Sequence, residues 1–143
     1  MKLQNPFRAF PALLMSWAIL AGCALQPPRG TATNTYTGDA GGKEEHFVGD
    51  RDLAAKFVLL DIKREQRDGR LRVQFDLKNT TTADLAVEWA VQWKDASGFD
   101  VDSNRYWRPL MVAGQGFESI QLTAPTPEAT AFQLYFRKPT PIR

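Results

Sequence analysis

An all-β domain is predicted by three features of the sequence. From residue 57 onward, apolar and polar residues alternate with a period of two in one segment after another, as in strands that bury one face. Turn-forming residues separate these segments, and no amphipathic helix of any length follows the N-terminal region. We therefore expect an immunoglobulin-like antiparallel β-sandwich of about six or seven strands, with a small closed barrel as the alternative.

The clearest strand is predicted over residues 70–79. Its apolar residues share the face that we expect to be buried: Leu71, Val73, Phe75 and Leu77. Before it comes Asp68-Gly69, a dipeptide typical of tight hairpin turns. The segment ahead of this turn also alternates, with one set of residues at Val58, Leu60 and Ile62 and the other at Leu59, Asp61 and Lys63.

Further strands are predicted over residues 85–93, 118–123 and 130–137. The side chains expected to point inward from them are Leu85, Val87, Trp89, Val91, Trp93, Ile120, Leu122, Phe132, Leu134 and Phe136. Residues 99–110 fit a short edge strand, since Pro109 lacks the N–H that an inner ladder position needs. Residues 46–57 fit either the start of a strand or one helical turn.

Residues 1–22 have the parts of a cleaved export signal. Lys2 and Arg8 give a positive start, a short apolar core follows, and small residues precede the cut. Residues 20–23, of sequence LAGC, resemble the lipobox of bacterial lipoproteins, in which cleavage precedes the cysteine and the thiol receives lipid. We therefore predict that Cys23 is the lipid-attachment residue.

The resemblance to lipoproteins also implies a location. Lipoproteins of this type carry three acyl chains, and two already hold a protein stably on a membrane. Ala24 stands where an Asp would retain an enterobacterial-type lipoprotein at the inner membrane. The resemblance thus implies a protein anchored to the outer membrane and facing the periplasm.

Removal of the signal changes the charge of the chain. The full sequence has 18 Lys and Arg residues against 16 Asp and Glu, and the signal holds two of the basic residues and no acid, which leaves 16 of each. With a balanced charge and no basic stripe with interleaved aromatic residues, we expect no nucleic-acid binding. Because Cys23 is the only cysteine, its lipidation would leave no disulfide or thiol site.

Residues 23–46 have the composition of a flexible linker. Proline, threonine and glycine recur, Tyr36 is the only aromatic residue, and no apolar period is found. We predict the lipidated N-terminus and linker over 23–46, the sandwich over 47–138 and a tail over 139–143. A segment that folds on a partner around Tyr36 is the alternative.

Short motifs within the predicted sandwich resemble the YcfL-like family of periplasmic lipoproteins. They lie at residues 48–50, 68–71, 77–79, 89–98, 107–109 and 124–125. The strongest is a tryptophan–x–aspartate–x–x–glycine hairpin from Trp93 to Gly98. The resemblance implies an immunoglobulin-like sandwich and no known activity. Family members often lie beside genes for lipoprotein activators of peptidoglycan synthases, which implies an envelope role.

No enzymatic activity, cofactor or metal site is expected. Nucleophilic catalysis needs a nucleophile beside a base, but the only histidine, His46, lies at the linker edge, where we expect it to be solvated. The acidic residues Asp95, Asp100 and Asp102 lack the spacing of a calcium-binding loop and fit a solvated turn.

Arg105, Tyr106, Trp107 and Arg108 form the best candidate surface for a partner, because Arg, Tyr and Trp dominate binding hot spots. Alternatively, Trp107 closes the open end of the sandwich and the arginines are ordinary solvated charges. We predict a non-catalytic binding or adaptor domain for an envelope protein, with the peptidoglycan-synthesis machinery as one candidate.

A second hypothesis is a carrier of an apolar ligand, such as a lipid or lipid-linked intermediate, held between the sheets. The residues that would line its cavity are Phe75, Trp89, Phe132 and Phe136. The same residues at strict alternation are what a plain core contains.

Overall fold

The alternating segments form two antiparallel sheets that face each other. The computed structural model describes residues 32–102 and 104–140, and within these ranges the chain forms eight strands and one short helix. In chain order these are β1 (Asn34–Asp39), β2 (Glu44–Phe47), α1 (Arg51–Ala54), β3 (Phe57–Arg67), β4 (Arg70–Asn79), β5 (Leu85–Lys94), β6 (Arg108–Val112), β7 (Phe117–Thr123) and β8 (Ala131–Arg137). The predicted all-β sandwich is confirmed, with more strands than the alternation indicates.

The larger sheet has the order β2-β1-β8-β5-β6 and the smaller one β3-β4-β7. Each sheet keeps two edge strands, which a closed barrel would not have. The barrel alternative is therefore wrong. The predicted edge strand is β6, where Pro109 lies opposite Glu88.

The core lies between the two sheets. The inward residues predicted for β4, β5 and β8 are on the buried or nearly buried face of each strand. Phe75 of the smaller sheet meets Trp89 and Phe136 of the larger one edge to face, with ring centroids 6.3 and 6.4 Å apart. Such aromatic pairs stabilise the contact beyond the area that they bury.

The predicted linker is wrong from residue 34 onward. β1 lies inside the larger sheet, and its Tyr36 is 2% exposed, so this residue is part of the core and not the centre of a partner-binding segment. Composition does not predict β1 because the strand has one large apolar side chain. The strand fits here because Gly38 has no side chain: a Cβ at this position would lie 2.6 Å from the Phe132 ring.

Several predictions lie wholly or partly outside the described residues. These are the signal over 1–22, the lipid-attachment residue Cys23, the first part of the linker, and the last three residues of the tail. Among the described residues, the sandwich includes β1 from Asn34 and so extends further toward the N-terminus than the predicted boundary at residue 47.

Of the two alternatives for residues 46–57, the helical turn is found as α1, whereas the strand there, β2, ends at Phe47 and does not start at it. Asp50 caps α1 by accepting a hydrogen bond from the backbone N–H of Leu53 at 3.0 Å. The side-chain amide of Asn34 accepts from the backbone N–H of Asp50 at 2.8 Å and donates to its carbonyl at 3.0 Å. These two hydrogen bonds connect the start of the helix to β1. Within the described ranges, no helix has the length and apolar character to cross a bilayer.

The alternation in β3 is interrupted by a bulge. Phe57 faces the core, whereas Val58 and Leu60 point outward and are 42% and 43% exposed. The register against β4 shifts after Leu60, where Asp61 has a φ of 50°. Because one extra residue reverses the phase of a strand, Arg64 then points inward, opposite Val73 on β4.

Candidate functional site

The connection between β5 and β6, residues 95–107, carries three of the four predicted surface residues. It folds back over the outer face of the larger sheet, the face turned away from the smaller sheet. Gln92, which points outward from β5, donates from Nε2 to the carbonyl of Asp102. The N–H of Val101 donates to the carbonyl of Trp93 at 3.0 Å. These bonds hold the connection against β5.

Arg105 stacks on the outer face. Its guanidinium carbon lies 3.8 Å from the ring centroid of Tyr135 on β8. The Tyr135 hydroxyl donates to Oε1 of Gln133 at 2.7 Å, and Gln133 donates from Nε2 to the Thr37 hydroxyl at 3.2 Å. The ring beneath Arg105 is therefore fixed by hydrogen bonds that run across β8 to β1.

Trp107 is half-buried on the same face. The guanidinium carbon of Arg137 lies 3.9 Å from its ring centroid, and Nε of Arg137 donates to Oε2 of Glu88 at 2.7 Å. Arg137 and Glu88 both point outward from their strands. Trp107 thus packs on the outer face, and the alternative in which it closes the open end of the sandwich is wrong.

The other two predicted residues are placed differently. Arg108 is the first residue of β6 and lies opposite Trp89, with its guanidinium carbon 5.0 Å from that ring, so it shares the inner side of the sheet edge. Tyr106 is 65% exposed. The structure therefore brings Arg105 and Trp107 to the outer face and places Arg108 on the inner side. Tyr106 projects into solvent between Arg105 and Trp107.

The aspartates of the predicted turn all have local partners. Asp95 accepts hydrogen bonds from the N–H groups of Ser97 and Phe99, both at 2.9 Å, and Asp100 pairs with Lys94 at 2.7 Å. In residues 32–102 and 104–140, no group of three His, Cys, Asp or Glu side chains could hold a metal ion.

A charged cluster that the sequence does not predict joins the two sheets. Nη2 of Arg64 donates to the Tyr36 hydroxyl at 2.8 Å and to Oε1 of Glu44 at 2.5 Å. His46 packs edge-on against Tyr36, with ring centroids 4.7 Å apart, and is otherwise exposed. Unbroken alternation from Phe57 would turn Arg64 outward, and the bulge in β3 brings it inward.

The electrostatics of this cluster favour a structural role. Hydrogen bonds from Tyr36 and then Arg64 lower the pKa of Glu44 from its usual value. Burial, with the Glu44 carboxylate beside the hydroxyl, raises the pKa of Tyr36. Glu44 stays ionised and Tyr36 neutral across the ordinary pH range, so neither is poised to exchange a proton.

A mostly apolar cleft of about 320 Å³ opens between the edge strands β2 and β3. It is lined by Asn34, Thr35, Tyr36, His46, Phe47, Val48, Ala54, Phe57, Val58, Leu59 and Phe136. Of the four aromatic residues predicted to line a cavity between the sheets, only Phe136 borders this cleft. Phe75, Trp89 and Phe132 pack in the core instead.

Comparison with known families adds one decisive observation. The profile of a family described as "Protein of unknown function (DUF1425)" matches residues 44–138, which is most of the chain. The chain belongs to the DUF1425 family. The match runs from β2 to the end of β8 and includes both the β5–β6 connection and most of the cleft, while β1 precedes it. The resemblance to YcfL-like proteins is supported only as membership of this family of unknown function.

One of three similar solved structures, a member of the family, supports the fold. A DUF1425 family member from Shewanella sp. pv-4 is 20% identical, with a TM-score of 0.53 over 60% of this chain and 81% of that one. Campylobacter jejuni cj0090 is 20% identical, with a TM-score of 0.47 over 55% of this chain and 83% of that one. Envelope protein VP37 of White Spot Syndrome Virus is 13% identical, with a TM-score of 0.37 over 75% and 93%. None of the curated proteins matches the chain.

Proposed function

We propose that this DUF1425 protein is a lipid-anchored, non-catalytic binding or adaptor domain of the bacterial envelope. In this proposal Cys23 carries the lipid, and the domain faces the periplasm from the outer membrane. The LAGC sequence at residues 20–23 supports the anchor, and the location follows from the resemblance to lipoproteins. A protein partner in the envelope, such as the peptidoglycan-synthesis machinery, would be the target.

The observation that carries the binding role is the exposed ring of Tyr106 on a fixed support. Arg105 and Trp107 are each held by a cation–π contact to β8, with distances of 3.8 and 3.9 Å. A partner that contacts Tyr106 would therefore meet a surface whose backbone is already ordered. Pre-ordered aromatic anchors bind well because little conformational entropy is lost on association.

A role without catalysis is proposed for a chemical reason. The sole histidine is engaged with Tyr36, and the Glu44 carboxylate beside it is already bonded to Arg64. The hydroxyl of the same Tyr36 is buried and bonded to Arg64, so it is not free to act as a nucleophile beside them. We accordingly propose that the protein acts through binding and needs no cofactor.

Capture of the partner tests this role. The double variant Arg105→Ala with Tyr106→Ala should recover much less of a crosslinked envelope partner than the unchanged protein. Phe99→Ala is the matched control, because Phe99 is an equally exposed aromatic residue on the same connection. Equal recovery from all three proteins would contradict the proposed surface.

A second candidate function is the carriage of an apolar ligand. The observation in its favour is the mostly apolar cleft between β2 and β3, which replaces the predicted site between the sheets. Mass spectrometry of organic extracts from the purified protein tests it. A single lipid species at about equimolar amount would support carriage, and extracts with no lipid beyond the anchor would contradict it.

A further inference from the structure

We propose that the domain docks directly on the lipid bilayer through an apolar rim formed by Phe47, Val48, Val58 and Leu60. This inference rests on the proposed function, because it takes Cys23 to be the lipid-attachment residue. It adds that the folded domain itself contacts the membrane and therefore has a defined orientation on it.

The rim is formed by four large apolar side chains that the fold leaves uncovered. Phe47 and Val48, at the end of β2, are 69% and 51% exposed, and Val58 and Leu60 point outward from β3. Phe47, Val48 and Val58 border the same cleft. Clusters of this kind on a soluble surface mark contacts with a membrane or another molecule, because their exposure to water is unfavourable.

The described part of the chain begins beside the rim. β1 enters the fold beside the cleft, which Asn34 lines, and the backbone of Thr33 packs closely against Gly49. Only 11 residue steps separate Cys23 from Asn34. At full extension these steps span about 36–40 Å, which sets the greatest distance between the lipid and this end of the sandwich.

The charges around the rim are compatible with a lipid headgroup layer. Lys56 and Lys78 flank Val58, the first along the chain and the second directly opposite it on β4, and Asp76 lies opposite Leu60. At the start of α1, the N-cap Asp50 and the first-turn residue Asp52 lie 2.9 and 3.9 Å from Nζ of Lys138. Long lysine side chains can keep their ammonium groups at the headgroups while apolar neighbours insert.

A bilayer fits the rim better than an added β-strand from a protein partner. β2 has only four residues, and the register of β3 shifts after Leu60. Short edges and bulges oppose the pairing of a further strand. Shallow insertion into lipid needs no such pairing and requires only the apolar side chains that are present.

Fluorescence quenching in reconstituted vesicles tests the proposal. The lipidated protein is placed in vesicles of phosphatidylethanolamine and phosphatidylglycerol, with a single new cysteine from Val48→Cys or Ser97→Cys carrying an environment-sensitive dye. Because the thiol of Cys23 carries the lipid, it would not react with the dye. Ser97 lies in the turn after β5, at the opposite end of the strands. A quencher on the lipid headgroup should quench the dye at position 48 severalfold more strongly than the dye at position 97.

Substitutions on the rim complete the test. Phe47→Ser combined with Val58→Ser should remove the excess quenching at position 48, whereas Phe99→Ser, at an exposed aromatic residue away from the rim, should not. Equal quenching at positions 48 and 97 would overturn the docking. The docking would also be overturned if the dye at position 48 were quenched more strongly than the dye at position 97 only after an envelope protein was added. The mass of the protein is measured separately, and a free thiol at Cys23 would instead contradict the proposed anchor.

Discussion

The guanidinium of Arg137 lies 3.9 Å from the ring of Trp107 while its Nε donates to Glu88 at 2.7 Å. One side chain of β8 thus contacts both β5 and the β5–β6 connection. The connection is therefore held on the outer face by side-chain contacts as well as by its backbone hydrogen bonds. This arrangement fixes the position from which Tyr106 projects.

Trp107→Ala should lower the free energy of unfolding by about 1–2 kcal/mol, because it removes the cation–π contact and half-buried apolar area. Tyr106→Ala should change it by less than about 0.5 kcal/mol, as expected for an exposed side chain. Urea unfolding measures both. Similar losses in the two variants would mean that Tyr106 is part of the packing and not a free surface.

Arg64→Ala should destabilise the protein by about 2 kcal/mol. The substitution leaves the Tyr36 hydroxyl and the Glu44 carboxylate without their shared donor at the join between the sheets. Arg72→Ala is the control, because its partner Glu65 is well exposed, and its loss should cost less than about 1 kcal/mol. Equal effects of the two substitutions would show that the Arg64 cluster contributes no more to the free energy of unfolding than a surface ion pair does.

Asp50→Asn should make stability less sensitive to acid. Hydrogen bonding from the N–H of Leu53, and then from Lys138, lowers the pKa of Asp50 below its unfolded value of about 3.9. A lowered folded-state pKa stabilises the protein above the unfolded pKa, and this contribution is lost as the pH falls through the folded pKa. The stability difference between the unchanged protein and the variant should therefore shrink as the pH falls from about 5 to about 3.

Chemical denaturation at several pH values measures this difference. Asp52→Asn is the matched control on the same helix, since its side chain is 87% exposed. It should lose much less stability than Asp50→Asn near neutral pH, because Asp50 and not Asp52 is the N-cap of α1. A pH-independent difference between Asp50→Asn and the unchanged protein would contradict the capping role.

Asn79→Ala should be among the most destabilising single changes, at about 3 kcal/mol. The buried amide of Asn79 donates to the carbonyls of Ala83 and Val112 at 2.7 and 3.1 Å and accepts from the N–H of Thr81 at 2.9 Å. Its removal leaves buried backbone groups unpaired. Thr80→Ala, at an exposed neighbour, should cost under about 1 kcal/mol when measured in the same way. A cost for Asn79→Ala as small as this would contradict the structure.

Strands with one solvent-exposed and one buried face were predictable from the sequence. In β4 and β8 every second residue is apolar, because one face of each strand packs on the opposite sheet. The Asp68-Gly69 turn was predictable too, since both residues adopt positive φ, at 51° and 73°. These features depend on neighbouring residues in the chain alone.

Features that depend on distant residues were not predictable. β1 is buried because β2 and β8 pair with it, and its own composition indicates a linker. The inward position of Arg64 depends on the bulge at Asp61. The residues of the candidate surface were predicted by residue type. That Arg108 lies on the other side of the sheet from its neighbours follows from the pairing of β6 with β5.

The most direct test of the binding role is photo-crosslinking from Tyr106 in intact cells. A photoreactive phenylalanine analogue replaces Tyr106 in one strain and Phe99 in another, and crosslinked products are separated and identified by mass spectrometry. We expect a discrete product with one envelope protein from position 106 and none from position 99, because the proposed binding surface is centred on Tyr106, between Arg105 and Trp107. No product from position 106, or the same products from both positions, would contradict the proposal that this surface binds a specific partner.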